Sequence, residues 1–298
     1  MLSRAAGFVP GEILIDELNG NCVQRYSAAG VLLQTYTGTG LSWEGVALTP
    51  DGNLVAGFQG GGPAHTAGFN IFSPGGQQLA TITTYANGIG NNAHGDQSVF
   101  ANGTIAIGDR NPSHSTVQFW NQTGTLLKTI SVLPTPYGST VGSDGILYVA
   151  CGSSVARING SGTLLGYIGL GFNPGGLVMN PLDGTLWVTG RSNDLVQHVK
   201  TDGTLLGSFP SGLTGSFGGI GLAPDNNSLY VASEGSTLVE HFDLSGNLLD
   251  SFNLTNPNTP VFMVVVPNGV GPGTPEPGSA ALLLGGLALL TARRRRGA

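Results

Sequence analysis

Charge is the first shortage. Asp, Glu, Lys and Arg make up 9% of the 298 residues, against about 25% in an ordinary soluble domain. Lysine occurs only as Lys128 and Lys200, and four of the eleven Lys and Arg residues are Arg293, Arg294, Arg295 and Arg296. The rest of the chain is therefore acidic. That argues against a nucleic-acid partner, because neutralising phosphates takes a basic surface. Cysteine is nearly missing: Cys22 and Cys151 cannot form a disulfide framework. No Gly-x-Ser-x-Gly elbow, Gly-Lys-Ser/Thr loop, Cys-x-x-Cys pair or His-Glu-x-x-His helix occurs. A nucleophilic hydrolase, a phosphate-cradling loop and a zincin site thus have no motif behind them.

Glycine is what the chain has in excess, with 50 residues, more than twice the usual share of about 7%. The hydrophobic fraction is 40%, so this is not disorder. The apolar residues fall in short β-branched or Leu-rich runs punctuated by Gly, Asn, Asp and Ser, as in an all-β chain with many turns. The runs repeat. A Gly-x-Leu-Leu phrase recurs at Gly30, Gly124, Gly162, Gly203 and Gly246, with a weaker copy at Gly76, spaced 38 to 48 residues apart. Before each phrase lies a short apolar strand, at 23–26, 69–72, 117–120, 155–158, 196–199 and 239–242. Before that comes a hairpin signal, as in Asp51-Gly52, Asn102-Gly103, Asp144-Gly145 and Asp183-Gly184.

Four strands per period of roughly 40–45 residues is the signature of a propeller blade. Six copies predict an all-β, six-bladed β-propeller over residues 11–269, after an N-terminal segment 1–10 and before a tail 270–298. The first copy lacks its own first strand, since 11–18 (GEILIDEL) already reads as a second one. The missing strand is found at 261–269, which carries the Pro-Asn/Asp-Gly type of ending of the other first strands, as in Pro50-Asp51-Gly52. The C-terminal strand is therefore expected to close blade one and remove the open edges. Cys22 and Cys151 then fall in opposite blades, too far apart to bridge, and are expected to be free and buried. The repeat resembles six-bladed NHL-like and SMP-30-like propellers, and it lacks the Gly-His and Trp-Asp marks of WD40 blades.

The extreme C-terminus carries a second signal. Pro275-Glu276-Pro277 is followed by an uncharged segment, 280–292, and then by Arg293-Arg294-Arg295-Arg296. A 13-residue helix is roughly 20 Å long against ~30 Å of bilayer hydrocarbon, which makes it a marginal anchor. The arginines would keep their end cytoplasmic. This order of elements resembles the PEP-CTERM sorting signal of exported proteins in exopolysaccharide-producing Gram-negative bacteria. The resemblance implies a short hydrophobic transmembrane helix, an inner-membrane tether and recognition of Pro275, Glu276 and Pro277 by an exosortase. Release to the cell surface or extracellular matrix would follow. Such a protein needs a secretory leader. Residues 1–10 hold one arginine and no sustained apolar run, so the leader is expected upstream of Met1.

Propeller ligands usually bind where the first strands begin. Counting back from the hairpin turns places Trp43, Glu44, His94, Asp96, Tyr137 and Phe217 at that channel mouth, with Gly175, Gly176 and Val261. Trp43, Tyr137 and Phe217 could stack on a sugar ring while Glu44 and Asp96 accept its hydroxyls. This favours a non-catalytic surface or matrix protein, associated with polysaccharide or a surface protein and needing no cofactor. The SMP-30-like resemblance implies the alternative, a lactonase or lyase using Ca²⁺ or another divalent metal. Such a cation wants six to eight oxygen ligands, and only Glu44 and Asp96 supply axial carboxylates, with His94, Asn91 and Asn92 nearby. The loops 59–67 and 109–116 exceed the other turns in length and are further contact candidates.

Overall fold

The computed structural model describes residues 7–59, 67–84, 94 (backbone alone), 95–110, 114–132, 134–213, 215, 218–255 and 259–269. These hold strands and turns only, arranged as six four-stranded antiparallel sheets. Blade one contains β1 (Ile13–Glu17), β2 (Cys22–Tyr26) and β3 (Leu32–Tyr36). Blade two is β4 (Leu41–Leu48), β5 (Leu54–Gln59), β6 (Gly68–Phe72) and β7 (Gln78–Thr83). Blade three is β8 (His94–Val99), β9 (Ile105–Asp109), β10 (Thr116–Trp120) and β11 (Leu126–Ser131). Blade four is β12 (Pro136–Val141), β13 (Ile146–Cys151), β14 (Ser154–Asn159) and β15 (Leu164–Gly169). Blade five is β16 (Pro174–Met179), β17 (Leu186–Gly190), β18 (Leu195–Val199) and β19 (Leu205–Pro210). Blade six is β20 (Gly218–Leu222), β21 (Ser228–Ser233), β22 (Leu238–Asp243) and β23 (Leu248–Asn253). The last strand, β24 (Pro260–Val265), returns to blade one and pairs with β1, Ile13 opposite Val265 and Ile15 opposite Met263. The expected six-bladed propeller and its closure by the C-terminal strand are both present.

The core is divided among the blade interfaces. Each of six apolar clusters lies between two adjacent sheets. Strand β5 (LVAGFQ) shows why its sequence does not alternate. Leu54, Ala56 and Phe58 pack toward blade one, while Val55 packs toward blade three. A strand buried on both faces is apolar at every position. The outermost strands differ: in β19, β15 and β23 only one face is covered, and Leu206, Leu165 and Leu249 stand exposed. Cys22 and Cys151 are free and buried, as the blade count requires. The tail motif, the 280–292 segment and its expected helix lie outside the described residues.

Candidate functional site

The six inner strands β4, β8, β12, β16, β20 and β24 ring the axis, each beside the next, with β24 against β4. Five of them share a β-bulge at one level. Two residues of the inner strand oppose one of its partner: Glu44 and Gly45 face Gly57, Gly95 and Asp96 face Gly108, and Tyr137 and Gly138 face Ala150. Gly175 and Gly176 face Thr189, and Val261 and Phe262 face Asp16. Blade six keeps regular register there. A bulge releases backbone groups from the ladder, and buried released groups need partners.

Axial side chains supply them. The Asp16 carboxylate accepts from the amides of Val261 (3.1 Å) and Phe262 (2.8 Å) in its own sheet and from Gly45 of the next blade. Asp96 accepts from its neighbour Gln97 (2.8 Å) and from Ser139 of blade four (3.2 Å). The Thr189 hydroxyl accepts from Gly176 N–H (2.9 Å) and donates to Gly218 O of blade six (2.8 Å). These groups knit blade to blade. Backbones approach closely here: a Cβ on Gly138 would lie 2.2 Å from Gly175 O, and one on Gly176 2.2 Å from Gly218 O.

Glu44 is 1% exposed and forms an ion pair with Arg110, while its Oε1 is buried without a hydrogen-bond partner. Burial pushes its carboxyl up to about 8; Arg110 pulls it down, and Asp16 and Glu234 push it further up. Burial also lifts Asp16 to about 7, against the pull of its three amides, and raises Asp96 well above the ordinary range. The thiols of Cys22 and Cys151 are pushed up to about 12 and about 11 by burial, which leaves them unreactive at neutral pH. Among the described residues no three His, Cys, Asp or Glu converge as metal ligands.

The sequence-derived mouth residues separate. Trp43 does not line the channel. It is fully buried between blades one and two, its ring 5.8 Å from that of Phe72, its Nε1–H donating to Gly40 O (3.1 Å). The reason is local: register shifts flank Trp43 on both sides, and Ser42 takes φ +52°. An offset of one residue sends a side chain to the opposite face. Tyr137 is half-buried and already stacked, with the Arg191 guanidinium 3.8 Å and that of Arg110 5.9 Å from its ring centre. Glu44 and Asp96 stand on inner strands at the bulge level and are 1% and 8% exposed. The His94 side chain, Phe217, Asn91 and Asn92 lie outside the described residues, as do the sorting motif and the terminal arginines. Of loop 109–116, Asp109 is buried and faces His114 Nδ1 at 3.3 Å. Asp16 was missed, although an acid inside the apolar run GEILIDEL was a visible irregularity. Arg110 and Arg191 follow second strands, and their ring contacts carry no sequence mark.

Beyond the bulge level the ring widens into a central cavity of about 610 Å³. All six inner strands contribute to it, and it continues to the first-to-second-strand turns, including Thr49, Pro50, Ser143 and Pro224. Of the expected mouth residues that are described, Asp96 and Gly176 line it. The cavity lies along the second halves of the inner strands, whereas the sequence pointed to their beginnings.

No protein-family profile matches the sequence, and no curated protein matches it. Solved structures do match in fold. A protein of unknown function from Bacteroides caccae superposes with a TM-score of 0.66 and 15% identity, over 86% of this chain and 98% of the other. A streptogramin B lyase gives 0.64 and 16%, over 87% and 86%. A chain of a nidogen/laminin complex gives 0.67 and 13%, over 86% and 98%. At such identities the likeness establishes the six-bladed propeller fold.

Proposed function

We propose that this chain is an exported, non-catalytic surface or matrix protein. Its closed propeller serves as a binding platform, and its C-terminal tail is a detachable membrane tether read by an exosortase. One observation carries the reading: β24 completes blade one and ends at Val265, ahead of the Pro275-Glu276-Pro277 motif. A cut near Glu276 would leave every blade whole. The non-catalytic part is supported by the commitment of the axial acids. Asp16 and Asp96 bind backbone amides and Glu44 pairs with Arg110. A lyase-like role would need such groups free for proton transfer. The likeness to a chain of a nidogen/laminin complex fits a propeller used as a protein-binding platform; association with exopolysaccharide would follow from the sorting signal.

Fractionation tests this. In an exosortase-bearing Gram-negative host, with a secretory leader supplied, the full chain should be released and end close to Glu276 by mass spectrometry. Without the exosortase it should stay in the membrane fraction. A chain ending at Gly273 should be exported without membrane retention and melt at the full-length temperature. Identical fractionation of both chains in both hosts would remove the tether reading.

A further inference from the structure

The central cavity has a mainly apolar wall. Its walls are Leu48, Val99, Val141, Met179, Leu222 and Val264, one from each blade. Among the described residues Asp96 is the only ionisable side chain lining it, and both its oxygens accept backbone amides. Among the described residues the wall offers no positive charge to an anion. Polar side chains, among them Thr49, Gln97, Thr140, Ser143 and Asn226, interrupt the apolar wall, and the Ser98 and Ser139 hydroxyls bond each other (2.8 Å). Leu48, Val99, Val141 and Val264 are nevertheless only half-buried. Apolar side chains are thus turned toward open space inside the ring.

The shape is a cup. Its inner end is the bulge level, where β12, β16 and β20 backbones approach so closely that Gly138 and Gly176 have no room for a Cβ. Its walls run about four residues, roughly 13 Å at ~3.3 Å per residue, and its lip is formed by turns with Pro50, Pro181, Pro224 and Pro267. The volume of about 610 Å³ falls within the roughly 300–1,000 Å³ of small-molecule sites. Water over the half-buried Leu48, Val99, Val141 and Val264 side chains gains no hydrogen bond from them, so an apolar occupant displaces it favourably.

We infer that this cup binds one neutral, largely apolar small molecule, entering from the turn face, and that it discriminates against charged analogues. The inference stands apart from the export reading, since it concerns the ring alone. Two fluorescent probes with one skeleton test it: N-phenyl-1-naphthylamine, which is neutral, and 8-anilino-1-naphthalenesulfonate, which adds a sulfonate. The neutral probe should bind one per chain with a Kd on the order of 10 µM, and the sulfonate at least tenfold more weakly. Val141→Trp and Val264→Trp, from opposite blades, should each weaken the neutral probe at least tenfold while leaving the melting temperature within a few degrees. Should either variant fail to fold, the other and the probe comparison on the unaltered protein still decide. Absent saturable binding, equal affinity for both probes, or unchanged binding by folded Trp variants would overturn the inference. The last result would place the probe on the exposed leucines of the outer strands.

Discussion

The residue that recurs most faithfully is the glycine of the last hairpin in each blade. Gly30, Gly76, Gly124, Gly162, Gly203 and Gly246 all have φ between +70° and +93°. Each closes its turn by donating to the residue three before it, as Gly246 does to Asp243, and each is followed by a bulge on the outer strand, as at Leu249, where His241 opposes Asp250 and Phe242 opposes Leu248. At Gly246 there is a second demand. A Cβ would stand 2.5 Å from the Phe209 ring atoms of the preceding blade, whereas at Gly145, with φ +72°, it would meet nothing within 4 Å. Gly145→Ala should therefore cost only the left-handed backbone term, about 1–2 kcal/mol. Gly246→Ala should cost at least twice as much in denaturant unfolding, since the Phe209 ring must move as well. Equal losses would mean that the ring swings aside freely. This residue was legible because geometry leaves glycine no substitute. Trp43 was not, because a bulge reverses alternation without altering composition, and spacing arguments assume unbroken alternation.

At the scale of elements, strands were legible where turn chemistry fixed their ends. The Asp144-Gly145 and Asp183-Gly184 turns join β12 to β13 and β16 to β17, as Asp-Gly between apolar runs requires. What sequence could not supply was the bulge shared by five inner strands: four of the pairs Glu44-Gly45, Gly95-Asp96, Tyr137-Gly138, Gly175-Gly176 and Val261-Phe262 contain glycine, but at no fixed position, and with 50 glycines in the chain that is no signal. Closure by β24 is the element with the largest energetic consequence. Val261, Phe262, Met263, Val265 and Val266 are all buried, on the cores at both sides of blade one. At about 2 kcal/mol per buried side chain, their removal forfeits roughly 10 kcal/mol, comparable with the total stability of ~5–15 kcal/mol of a typical domain. A chain ending at Thr255 should therefore lack a cooperative thermal transition, while one ending at Gly273 keeps it. An unchanged transition in the shorter chain would show that five blades and three strands hold the ring alone.

For the whole molecule, the axis is where every blade meets, and three acids are buried around it. Glu44 and Asp16 feel each other, Glu44 also feels Glu234, and Arg110 is the cation acting on both. Asp96 is raised by its own burial and by Asp16. In the unfolded chain these groups release their protons near pH 4; in the ring Asp16 holds its proton to about 7 and Glu44 to about 8. Between those limits the folded state binds more protons than the unfolded state, so stability falls as pH rises. The contribution is complete below pH 4 and is lost as pH passes through about 7 and about 8. Other carboxylates oppose this at the acid end: Asp202 and Asp243 are held below their ordinary range by hydrogen bonds from Thr204 and Asn247. Melting temperature should therefore peak in mildly acid solution and decline from pH 5 to pH 9. Asp16→Asn with Glu44→Gln should flatten that decline, because amides do not titrate. Those amides keep a donor beside Arg110 and the bulge amides, so some stability is lost at pH 5, and the gap between variant and parent should narrow steadily toward pH 9. A parent that is more stable at pH 9 than at pH 5, or a variant with the same slope, would mean that water reaches these acids and that the axis is wetter than its packing indicates.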